Sequence, residues 1–166
     1  MGVNDILAAG CIVGTVVNFA CIEGAFLQIS LNLPVILQTI TDAAAPGTPI
    51  VGVNYYNTFL AFWLTGSDGK VLAMQSAALA NMLNNDVLGL IYGAFGIDVA
   101  DVATAFQSND FTTMVPFPPP HVSVPLNVAL ICRLTWMCAA APIGPNVHAN
   151  PDGYTVIAAT IADILP

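Results

Sequence analysis

The stretch "TPIVGVNYY" at 48–56 constrains this chain more than any other. It is an apolar, β-branched run framed by proline and asparagine. Such a run reads as a strand buried on both faces, as strands of parallel sheets are. "GIDVADVATAF" at 96–106 reads as a second strand introduced by Gly96.

Helical periodicity surrounds both strands. "GAFLQISLNLPVILQTITDAA" at 24–44 reads as a helix kinked by Pro34. "GSDGKVLAMQSAALANMLNN" at 66–85 reads as a helix capped by Ser67 or Asp68, with Val71, Met74, Ala78 and Met82 along one face. A further short helix, "DVLGLIYGAF", follows Asn84 and Asn85. The order helix, strand, helices, strand, helices predicts an α/β layer fold.

Two segments near the C-terminus break that order. "PFPPPHVSVP" at 116–125 predicts an extended, polyproline-like surface loop, in which His121 reads as a solvated loop residue. After "HANPDG", Tyr154, Ile157, Ala158, Ile161 and Leu165 recur at three- and four-residue spacing, which predicts a final helix with one packed face. His148 lies in the loop feeding that helix, a place where α/β folds put catalytic groups.

Composition limits the partners. The 166 residues suit one domain and carry 57% hydrophobic but only 7% charged side chains, so some apolar surface is expected to meet a partner, a second copy first of all. Two basic against ten acidic residues give a net charge of -8, which argues against nucleic acid and anionic headgroups. The apolar runs 6–22 and 24–41 are broken by Asn18, Gln28, Asn32, Pro34 and Gln38 and lack basic flanks, so no transmembrane segment is expected. "MGVND" carries no basic leader of a cleavable signal peptide.

Cys11, Cys21, Cys132 and Cys138 allow three pairings. The local pairs 11 with 21 and 132 with 138 are the simplest, and four buried free thiols are the alternative. No metal-type spacing occurs, and no metal or cofactor is expected. Bridged cysteines place the chain in an oxidising compartment. Six residues of continuous helix would separate Cα atoms by about 9 Å, too far for a disulfide. The helix through "NVALICRLTWMC" must therefore end or bend before Cys138.

"GVND" at 2–5, "VNYYN" at 53–57, "VADVATAF" at 99–106 and "HANPDGY" at 148–154 together resemble the SGNH, or GDSL-like, esterase and lipase family. "TWMCAAAPIGPNVHAN" is similar to its secreted actinobacterial branch. The resemblance implies a three-layer, flavodoxin-like SGNH hydrolase fold over residues 1–166, N-terminally truncated with a reduced parallel sheet. It implies a carboxylic-ester hydrolase, extracellular, acting on a small ester or lipid. On this resemblance Asn4 is the oxyanion donor and His148 the general base.

Two departures follow. Where the family places an aspartate three residues before the histidine, this chain has Pro145, and Asn146 is the neutral candidate to orient the imidazole. The family's serine stands in a G-D-S motif upstream of G-x-N-D, and no such motif occurs here. Ser108, in "FQSND" after a predicted strand, is the candidate substitute nucleophile. An inactive fragment serving as a binding or structural module is the alternative. A strand at 48–56 without its family neighbours would keep an open edge able to recruit another chain.

Overall fold

The computed structural model describes residue 6 and residues 9–118 and 122–166. The chain is mixed α/β, with three two-stranded sheets among the described residues. Strands β1 (Ile12–Val13) and β2 (Val16–Val17) form an antiparallel hairpin. Helix α1 (Phe19–Ala43) follows, capped by the Asn18 side chain, which accepts the Cys21 N–H at 3.1 Å. α1 is one continuous helix of 25 residues that runs through Pro34. By length and mean hydropathy, 1.6, it could cross a membrane; here Ile22, Phe26, Ile29, Leu33 and Leu37 enter the core.

Strand β3 (Val51–Val53) pairs in parallel with β4 (Asp98–Ala100), the register setting Gly52 opposite Val99. The predicted parallel strand is therefore present, although shorter than the apolar run. The Tyr92 ring lies on Gly52, 2.8 Å from where a Cβ would stand, so this strand accepts no side chain at that point. Between the strands run a 3-10 helix (Thr58–Thr65), α2 (Ser67–Asn81), a π-helical segment (Met82–Gly89) and α3 (Leu90–Ala94).

The face of α2 is inverted relative to the sequence reading. Leu72, Ala73, Ser76 and Ala77 are buried, whereas Val71, Met74, Ala78 and Met82 are exposed. The cause is close approach to the 3-10 helix. A Cβ on buried Gly69 would run into the Phe62 carbonyl, so no side chain fits at that contact.

"GIDVADVATAF" is only partly strand. It yields β4 and then α4 (Val102–Ala105), because the Asp101 carboxylate accepts the Thr104 N–H at 3.0 Å and starts a helix. The proline-rich stretch is a hairpin rather than a loop. β5 (Met114–Phe117) and β6 (Val122–Pro125) pair antiparallel, with Pro116 opposite Ser123. A two-stranded ribbon has two open edges, where a missing N–H breaks no ladder bond. His121 lies outside the described residues.

Helices α5 (Leu126–Leu134) and α6 (Pro151–Ala162) complete the chain. α5 ends before Cys138, as the cysteine geometry requires. Both disulfides are the local ones: Cys11 with Cys21 at a Cα separation of 5.3 Å, and Cys132 with Cys138 at 5.0 Å. Such bridges are compatible with an oxidising, extracellular setting. The final helix packs with Gly153, Val156, Ile157 and Ile161 inward, while Tyr154 and Leu165 are exposed.

Candidate functional site

His148 is carried by a loop tied to the chain on three sides. The chain leaves α5 at Leu134, and Thr135 forms an antiparallel bridge with Ala149. Trp136 N–H donates to the His148 carbonyl at 3.0 Å, Asn146 N–H to the Trp136 carbonyl at 3.2 Å, and Asn150 N–H to the Leu134 carbonyl at 3.0 Å. The outgoing and returning legs of the loop are thus bonded along their length. The Cys132–Cys138 bridge fastens the outgoing leg to α5.

Asn150 joins this frame to α6. Its side-chain oxygen accepts the Gly153 N–H at 3.0 Å and caps the helix, while its amide donates to the Arg133 carbonyl at 2.6 Å. Gly153 is required by contact, since a Cβ there would collide with the Leu134 carbonyl.

The third tie reaches the parallel sheet. Tyr56, three residues past β3, donates its hydroxyl to the Val147 carbonyl at 3.3 Å. Its ring stacks on buried Phe106 with centroids 4.5 Å apart. Burial pushes the Tyr56 phenol above its ordinary value, against a smaller lowering by the Ala149 backbone, so it stays a neutral donor at physiological pH. The His148 loop therefore sits against the segment leaving the C-terminal end of β3, the edge at which parallel α/β sheets bind ligands.

On this frame the His148 side chain is exposed. The Asn146 oxygen accepts the backbone N–H of His148 at 2.9 Å, closing an Asx turn. The expected orienting partner is thus engaged by main chain, and among the described residues no hydrogen bond joins it to the imidazole.

A second polar cluster stands at the same sheet edge and was not read from the sequence. Asn54, directly after β3, donates to Asp101 at 2.7 Å and accepts the Ala103 N–H at 2.9 Å. Asp101, directly after β4, also accepts the Thr104 hydroxyl at 2.6 Å. Partial burial pushes the Asp101 carboxyl up, but the hydrogen bonds from Thr104 and Asn54 outweigh it and the net shift is down. The available signal was positional: one polar residue directly follows each apolar strand run. Asn84, on the π-helical segment, binds the main chain of Tyr55 twice, at 3.0 and 2.8 Å.

Ser108 does not join this site. Ser108 is 5% exposed in the turn after α4, and its hydroxyl is buried without a partner. An ester cannot reach that oxygen in this arrangement, so a buried core position replaces the expected substitute nucleophile. Among the described residues no hydrogen bond joins the His148 ring to any serine. Asn4 lies outside the described residues. No group of three or more His, Cys, Asp or Glu among the described residues is arranged to hold a metal ion. Comparison of the chain with protein-family models, curated proteins and solved structures returns no match.

Proposed function

We propose that this protein is a carboxylic-ester hydrolase of SGNH type in which His148 is the general base. The observation that carries the reading is the placement of an exposed imidazole on a cross-bonded loop at the C-terminal edge of a parallel strand pair. In this role His148 removes the proton from a hydroxyl as its oxygen adds to the ester carbonyl, returns the proton to the departing alcohol, and then activates a water that releases the acyl group as the acid and restores the hydroxyl. Asn4 donates to the oxyanion formed between these steps. The substrate is a small ester or lipid, and the setting is extracellular, in keeping with the disulfides.

A second reading rests on Ser108. With that hydroxyl buried, the chain carries a base without an identified nucleophile and serves as a binding or structural module. A fluorophosphonate probe followed by mass spectrometry separates the two. The first reading expects one labelled hydroxyl whose labelling depends on His148; absence of any label, together with no hydrolysis of a short-chain p-nitrophenyl ester, leaves the second.

A further inference from the structure

The structure contains an open recess of about 360 Å³ between the 3-10 helix and the loop that carries His148. The helix lines it with Ala61, Phe62, Leu64 and Thr65, the outgoing leg of the loop with residues 137–139, and the returning leg with Pro145. The volume falls within the range of about 300–1,000 Å³ typical of small-molecule sites. Both walls are set by the fold itself. The Cys132–Cys138 bridge holds the outgoing leg to α5, and on the helix Ala61 is buried and the Phe62 ring packs beside Phe59 with centroids 6.1 Å apart.

The wall chemistry selects the ligand. No charged side chain lines the recess, and its one side-chain hydroxyl, on Thr65, is spent on the Phe62 carbonyl at 2.8 Å. The Met137 N–H donates to the Thr135 hydroxyl at 3.2 Å, and the Ala139 N–H to the Trp136 carbonyl at 3.3 Å. The other lining side chains offer hydrocarbon and sulfur surface only. A ligand group that needs hydrogen bonds would leave water there without a side chain to replace it, whereas a hydrocarbon loses nothing. A net charge of -8 disfavours an anionic ligand. At about 2 Å of rise per residue, positions 61–65 extend the helical wall over about 8 Å, which suits a chain laid along it.

The recess adjoins the candidate base. Pro145 stands three residues before His148, so their Cα atoms are at most about 11 Å apart. Beside Pro145 and Met137, the Asn146 N–H donates to the Trp136 carbonyl and ties the two legs together.

We infer that this recess holds the unbranched hydrocarbon chain of a neutral ester, with Phe62, Leu64 and Met137 as the residues that favour longer chains. The ester end rests on the proposed function. The chain site does not, because it is read out by binding of chains that cannot be hydrolysed.

The test uses the full chain labelled with carbon-13 at its methionine methyl groups and titrated with 1-butanol, 1-hexanol and 1-octanol under methyl NMR. A saturable shift of the Met137 methyl is expected, with affinity rising by about two- to fourfold for each added methylene. Leu64→Asp, at a position already 41% exposed, should weaken 1-octanol binding by about tenfold or more, and Leu90→Asp, 69% exposed on α3 and outside the recess, should leave it unchanged. No saturable shift at Met137, shifts confined to Met74, Met82 or Met114, or equal losses in both variants overturns the inference. Should Leu64→Asp fail to fold, the series on the unaltered protein decides: affinity at Met137 that does not rise with chain length overturns the site. Saturable binding without ester hydrolysis contradicts the proposed role of His148 and leaves the chain site standing, and hydrolysis without a shift at Met137 does the reverse.

Discussion

At the scale of single residues, the loop around His148 is governed by main-chain hydrogen bonds more than by side-chain chemistry. Asn146 illustrates this, because its oxygen closes a turn on the His148 N–H. Asn146→Ala should cost about 1 kcal/mol in urea unfolding, the usual net worth of one such bond. Asn146→Asp keeps an acceptor at the turn and should be close to neutral in stability; a large gain in ester hydrolysis on that change would show that the side chain reaches the imidazole after all. Asp110 supplies a pH test. The Thr113 N–H first, then the Thr113 side chain and Thr112, hold its carboxyl down at about 2, below the ordinary 3.8. A depressed folded-state value stabilises above the unfolded one, so this contribution is present above about pH 3.8 and is lost as pH falls through about 2. Carboxyl NMR should find the Asp110 midpoint near 2, and a midpoint at the ordinary value would contradict the hydrogen-bond account. The position of His148 was legible in the sequence, because it precedes a periodic final helix. Asn54 and Asp101 were not, because their partnership needs two strands 47 residues apart to lie side by side.

At the scale of elements, the signals that survived were those set by local chemistry. The apolar β-branched run became β3, the three- and four-residue spacing after "HANPDG" became α6, and the cysteine spacing required α5 to end early. The inverted face of α2 shows what periodicity omits: hydrophobic size predicts burial only where the partner leaves room, and the 3-10 helix leaves none for a Cβ at Gly69. The hairpin at 114–125 was hidden for a related reason, since prolines exclude a central strand but not a two-stranded ribbon. Close approach also makes a prediction at α6. Gly153→Ala must push the helix off the Leu134 carbonyl, at a cost of about 1–3 kcal/mol in chemical denaturation. An unchanged midpoint would mean that α6 does not sit as close to α5 as described.

At the scale of the whole molecule, large apolar side chains remain on the surface of a chain with few charges. Leu27, Leu31 and Val35 follow one another at four-residue spacing on the outer face of α1, each more than half exposed. A stripe of that kind favours self-association, and light scattering at micromolar concentration should give a dimer or larger; a monomeric mass would contradict it. Non-reducing peptide mapping should recover only the 11–21 and 132–138 bridges. Reduction should lower the melting temperature, in keeping with the loss of about 2–4 kcal/mol typical of one bridge. The proposed role of His148, held by its cross-bonded loop, is that of a general base on esters. That role is tested by kcat/KM for p-nitrophenyl butyrate with the unaltered chain and with His148→Ala: a general base gives measurable hydrolysis that falls by about 10²–10⁴-fold in the variant, and hydrolysis that is absent, or equal in the two proteins, rules it out.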